Sequence, residues 1–164
     1  MKKISIILIV VNLLLLLAYF NYSIAQKEDT LKEGELVLLE LAPVDPRSLM
    51  QGDYMMLNYK LNSNVQPDSI PRRGYAVLKL DNHQVGELQR FQAEKTPLAP
   101  GEVLIHYTNP SGWRVNIGAE SFFFQEGTGE RFEKAKYGAL KVDENGNSLL
   151  IGLYDENKRE IKSK

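Results

Sequence analysis

Two aspartates and an arginine crowd into one short stretch of this chain, Leu41-Ala42-Pro43-Val44-Asp45-Pro46-Arg47-Ser48-Leu49-Met50-Gln51-Gly52-Asp53-Tyr54-Met55-Met56-Leu57-Asn58-Tyr59. Asp45, Arg47 and Asp53 can serve architecture, pairing with one another and with backbone N–H groups to shape a loop. They can also serve recognition. Pro43 and Pro46 fix φ and extend the residues before them, so a loop stiffened in this way can present Asp45, Arg47, Gln51, Gly52 and Asp53, with Tyr54 and Tyr59, to a ligand or protein. Gly52 allows a backbone conformation that other residues resist, where the loop meets the next strand. Strand alternation then sets Asp53, Met55, Leu57 and Tyr59 on one face and Tyr54, Met56 and Asn58 on the other. For nucleophilic chemistry the stretch offers Ser48, with Lys60 as its base, but nothing in the spacing joins the two. No residue is therefore assigned a catalytic role.

Elsewhere the reactive side chains are sparse. The chain has no cysteine, which excludes a thiol nucleophile, a thiolate metal site, a disulfide and a lipoprotein anchor. His83 and His106 are too few for most zinc sites; His83 falls in a turn, and His106 is read as a half-buried structural histidine. No metal or cofactor is expected. Phe122-Phe123-Phe124 leads into Gln125-Glu126-Gly127-Thr128-Gly129, a loose glycine-rich loop opening a helix. It lacks the Lys-Ser/Thr of a phosphate loop, and the three phenylalanines read as core. Glu126, Arg131 and Tyr137 around that helix are secondary binding candidates, while Glu130, Glu133 and Lys134 read as a solvated face. Beyond residue 20 there are 18 basic and 21 acidic residues, a balance that gives nucleic acid no electrostatic footprint.

The elements that must position these residues begin with a membrane segment. Lys2-Lys3 precedes residues 4–20, a run in which only Asn12 is clearly polar and which as a helix spans about 25 Å. Tyr19, Phe20 and Tyr22 suit the membrane–water interface, and the positive-inside rule leaves the two lysines cytoplasmic. The bilayer is thus the first partner, through residues 4–20. Ser23-Ile24-Ala25 resembles a cleavage site, but the apolar run exceeds the usual signal core, so residues 1–25 are read as an uncleaved anchor. Residues 26–34 form a juxtamembrane stalk or short helix, and residues 35–164 an extracytoplasmic domain at the inner membrane.

That domain reads as mainly β. Seven or eight short strands with turns between them imply a small antiparallel barrel or sandwich with one helix. Strands are expected at residues 35–41, 53–62, 75–80, 85–92, 103–108, 113–117, 139–142 and 149–154, with Trp113 a core residue where its strand begins. The helix is expected over residues 127–136, capped by Thr128 with Phe132 and Ala135 inward. Asn145-Gly146 between two apolar runs predicts a hairpin with a type I′ turn.

Gly52-Asp53-Tyr54-Met55-Met56-Leu57-Asn58-Tyr59 resembles, in every defined position, the pattern for which the GDYXXLXY proteins are named. Pro43-Val44-Asp45-Pro46-Arg47, residues 123–129, Ala135-Lys136-Tyr137-Gly138 and the closing hairpin extend the resemblance over nearly the whole chain. It implies a bacterial membrane-anchored protein with a multi-pass membrane protein as companion, and it supplies no catalytic assignment. Leu49-Met50-Gln51-Gly52-Asp53 is also similar to the region after the nucleophile in type I signal peptidases. Those enzymes carry Ser-Met just before the proline, where this chain has Val44-Asp45, and their spacing from proline to leucine is one residue shorter. The expectation is an interaction module of the envelope; the alternative is an envelope hydrolase or signal-peptidase-like enzyme using Ser48, Asp45 or Asp53.

Overall fold

The computed structural model describes residues 2–42, 50–51, 54–64, 70–112 and 114–162. Asp45, Arg47, Ser48, Gly52, Asp53 and Trp113 lie outside the described residues. For Gln51 the backbone alone is described.

An unbroken run of Ile, Leu and Val without Gly or Pro can satisfy every backbone group in lipid by forming a helix. Helix α1 occupies Lys2–Glu33 in one piece and is long and apolar enough to cross a membrane. Its apolar side chains are exposed all round the segment 4–20. Of residues 26–34, expected as a juxtamembrane stalk or short helix, 26–33 are helical and continue α1 without a break, and Ala25 lies within the helix. The helix stops at Gly34, whose N–H donates to the Thr30 carbonyl (3.0 Å). Lys141 Nζ then donates to the Gly34 carbonyl (2.8 Å), a cation at the negative end of the helix dipole. Thr30 is 6% exposed; its hydroxyl donates to Gln26 O (3.0 Å) and lies 3.4 Å from Asp143 Oδ2. The last turns of α1 are therefore docked on the domain.

Beyond Gly34, strands β1 (Glu35–Glu40), β2 (Met50–Gln51), β3 (Tyr54–Met56), β4 (Arg73–Leu80), β5 (Gly86–Gln92), β6 (Glu102–Thr108), β7 (Ser121–Phe123), β8 (Tyr137–Val142) and β9 (Ser148–Tyr154) form three antiparallel sheets. Their orders are β1-β8-β9, β2-β3-β7 and β5-β4-β6, and each sheet is open. Backbone bonds stitch them together: Leu38 N to Gln84 O (2.8 Å), Ala42 N to Asn58 O (2.7 Å) and His106 N to Gly146 O (2.8 Å). One core results, with Val37, Met55, Leu78, Ile105, Leu140 and Leu153 drawn from all three sheets. The runs Val37-Leu38-Leu39 and Ala76-Val77-Leu78 are buried without alternation, as expected where both faces of a strand are covered.

Three expected elements come out shorter, each because the chain changes hydrogen-bond partners. The strand expected at 53–62 keeps its pairing with β7 only as far as Leu57, whose N–H bonds Glu120 O; Tyr59 then bridges to Leu41 instead, and Lys60–Asn64 winds into a 3₁₀ turn. The strand expected at 113–117 reduces to one bridge, Thr108 to Asn116. There, Asn62 Oδ1 takes the Val115 N–H (2.7 Å) and the Glu120 carboxylate takes that of Ile117, occupying the donors a ladder would need. The helix expected over 127–136 becomes α2, Gly129–Phe132. Thr128 does not cap it; its hydroxyl donates back to Gln125 O (2.6 Å), and Lys136 already bonds Tyr154 across a sheet.

The hairpin at Asn145-Gly146 forms, but not through a type I′ turn, since Gly146 alone has positive φ (84°). Asp143 anchors it: its carbonyl accepts the Gly146 N–H, and its Oδ1 accepts the N–H groups of Asn145 and Asn147. Asp81 and Asp155 build the same turn, with Gln84 (φ 64°) and Lys158 (φ 59°) in the position of Gly146. A side chain there is strained, whereas glycine is not. Lys158→Gly is expected to raise stability by about 0.5–1 kcal/mol, seen as a higher chemical-denaturation midpoint at unchanged slope.

At the end of the β5-β4-β6 sheet, Arg90 grips Glu102 with two bonds, Nη1–Oε1 (2.7 Å) and Nη2–Oε2 (2.9 Å), and the Ala99 N–H also donates to Oε2 (2.8 Å). These donors, Arg90 foremost, hold the Glu102 carboxyl down to about 2 from its usual 4.5. A depressed carboxyl stabilises the fold above the unfolded value and loses that contribution as pH falls toward the folded one. The melting temperature should therefore drop between pH 4.5 and 2, and Glu102→Gln should be less stable at neutral pH and less sensitive to acid over that window.

Candidate functional site

Strand β3 and the residues after it carry the described part of the sequence motif, Tyr54 to Tyr59. Its alternation is as the sequence predicts: Met55, Leu57 and Tyr59 point into the core, while Met56 and Asn58 are exposed and Tyr54 is half-buried. Tyr59 was a binding candidate, but it is 1% exposed and its hydroxyl donates to the Ala119 carbonyl (2.6 Å). Burial pushes this phenol well above its usual range. Tyr59 is thus a core residue with no surface to offer a ligand.

The outward side of the β3-β7 pair carries large apolar groups. Tyr54 lies opposite Phe123 in the ladder, their ring centroids 5.7 Å apart. Met56 lies opposite Ser121, whose hydroxyl reaches its sulfur at 3.6 Å. Phe123 is 74% exposed and Met56 42%. The sequence had placed all three phenylalanines in the core. Phe122 and Phe124 do pack on Phe132, at 5.0 and 5.5 Å, but a strand cannot send three consecutive side chains the same way, and Phe123 is turned outward. Period-two alternation applied to residues 122–124 would have found it.

The remaining candidates do not converge. Glu126 and Arg131 are exposed around α2. Tyr137 starts β8 opposite Glu40, at an ionic knot where Glu40 meets Lys60 (2.8 Å) and Lys136 (3.1 Å). The bond to Glu40 raises the Lys60 pKa, whereas a base for Ser48 would need it lowered. Glu40 shifts the other way, its carboxyl lowered chiefly by Lys60, so the knot ties β1, the 3₁₀ turn and β8 together as charged groups. His106, read as half-buried, is exposed, its ring edge-on to Tyr75 at 5.6 Å.

Two clefts lie where α1 meets the domain. One of about 300 Å³ is lined by Ser23, Lys27, Thr30, His106 and Ser148. The other, about 750 Å³, is edged by Asp29, Glu33, Glu35, Glu102, Asp143 and Glu144. Among the described residues no group of three or more His, Asp or Glu side chains is placed to hold a metal ion.

The family model described as GDYXXLXY protein matches residues 16–153. No curated protein and no solved structure matches the chain.

Proposed function

This chain belongs to the GDYXXLXY protein family, and from that premise we propose that it is a membrane-anchored, extracytoplasmic interaction module of the bacterial envelope, partnered with a multi-pass membrane protein. The observation that carries the reading is the outer surface of half-buried Tyr54 with exposed Met56 and Phe123, on a domain against which the last turns of an apolar helix are docked. Exposed aromatic and methionine side chains gathered on one face of a sheet mark interaction surfaces more often than solvated ones. The anchor favours a membrane partner: residues 21–33 of α1 rise about 20 Å beyond the apolar segment, so the domain works close above the bilayer, where loops of a multi-pass protein lie.

The module has the inner membrane as its place, one span through residues 4–20, and its domain on the far side of that membrane from Lys2 and Lys3. Phe123→Ala tests the surface. Phe123 makes few core contacts, so the melting temperature should stay within about 1–2 °C of wild type, while recovery of the crosslinked partner from membranes falls about thirtyfold, the usual loss for an interface anchor. Undiminished recovery would move the interface elsewhere.

A further inference from the structure

Besides Asn12, the side chains of residues 4–20 that carry a polar atom are Ser5 and Tyr19. The three stand seven residues apart, and a seven-residue step turns an α-helix by only about 20°, so they form one narrow stripe. Asn12 is the midpoint of the segment, eight residues from either end, and so sits near the centre of a bilayer that α1 spans. Its carboxamide is exposed and has no hydrogen-bond partner among the described residues, whereas Asn21 Nδ2 donates back to Leu17 O (2.8 Å). A carboxamide facing hydrocarbon is costly, and in membranes such groups bond across helix–helix contacts.

The domain indicates what kind of helix can lie there. Thr30 is eighteen residues beyond Asn12, five whole turns at about 3.6 residues each, so the buried face of α1 is continuous with the Asn12 stripe. Ser23, Gln26 and Lys27, which line the cleft against the domain, fall on the same side. The domain therefore overhangs the stripe. A second copy of this chain packed in parallel on that face would drive its own residues 21–33 up into the volume the domain fills. A helix that ends at the membrane surface fits beneath it.

We infer that the Ser5-Asn12-Tyr19 stripe docks one transmembrane helix of another membrane protein, a helix that stops at the outer bilayer surface and places a hydrogen-bonding side chain opposite Asn12. This rests on the membrane-spanning reading of α1 and specifies the partner contact within the bilayer.

The test uses the full chain in native membranes, with the photoreactive residue benzoylphenylalanine at Ile9 or Leu16, beside the stripe, or at Val10 or Leu14, on the opposite side. One discrete adduct with a protein that has transmembrane helices is expected at positions 9 and 16 and not at 10 and 14. Asn12→Leu should weaken it about tenfold and Asn12→Gln should restore it. An adduct of twice 18.6 kDa would mean a second copy and overturn the inference. So would equal labelling at all four positions, or an adduct indifferent to Asn12→Leu. Extraction of the chain by alkaline carbonate would instead overturn the membrane reading itself.

Discussion

Tyr59→Ala is expected to cost about 4 kcal/mol, enough to leave a domain of ordinary stability largely unfolded. The ring is buried in the common core, and truncation would leave a cavity between β1, β8 and the segment at Ala119. It would also strand the Ala119 carbonyl, which takes the Tyr59 hydroxyl at 2.6 Å. Tyr59→Phe keeps the ring and removes only the bond, so about 1–2 kcal/mol is expected. Gly138 completes the fit, because a Cβ there would come within 2.9 Å of the Tyr59 ring. Chemical denaturation of the full chain in detergent reads all of these, and Gly138→Ala should fall between the two tyrosine variants. A midpoint for Tyr59→Ala close to that of Tyr59→Phe would show that the hydroxyl alone carries the site. The raised phenol pKa adds a direction: stability present below pH 10 should fall as pH rises beyond it, and Tyr59→Phe should lose that alkaline component.

Gly34→Ala should have the second-largest effect, about 3 kcal/mol, concentrated where α1 meets the domain. A Cβ at residue 34 would run into the Thr30 carbonyl oxygen and lie 3.0 Å from the Val142 carbonyl oxygen. Both neighbours are backbone and cannot swing away. Relief requires the last turn of α1 to unwind or β1 to leave β8, and either breaks the Lys141 bond to the Gly34 carbonyl. Trypsin cleavage after Lys27 and Lys32 should therefore accelerate at least tenfold, while hydrogen exchange in β4 to β6 stays slow. Unchanged cleavage would mean that the docked end of α1 opens independently of Gly34. The same variant bears on the proposed helix contact at Asn12, because that proposal relies on how α1 is docked at this junction.

Several features were legible in the sequence because local rules suffice for them. An apolar run of this length with no polar face suits a membrane span or a fully buried helix, and in the structure its side chains are exposed all round residues 4–20. Period-two alternation identified Met55, Leu57 and Tyr59 as one face, and apolar runs bounded by turn residues located β1, β4, β5, β6, β8 and β9. What alternation leaves open is which face is the core. Tyr59 was read as a binding residue because a tyrosine in a motif suits either side, and burial decided the matter. The apolar composition of residues 122–124 concealed the same ambiguity, and Phe123 proved to be the outward member. Asp143, Asp81 and Asp155 build one turn three times, yet glycine marks only the first, so two of the three carried no visible signal.

The sequence by itself determined a long apolar N-terminal helix, the β character of the domain, the family and the inward register of the motif, since each follows from spacing along one chain. The tertiary structure alone decided that α1 runs unbroken to Glu33 and docks there, that the strands divide into three open sheets, and that Tyr54, Met56 and Phe123 share one outer surface. The physical reason is common to all three. Docking, sheet division and shared surface are made by contacts between residues far apart in the chain, such as Thr30 with Asp143 or Tyr54 with Phe123, and no local period encodes which distant segments meet.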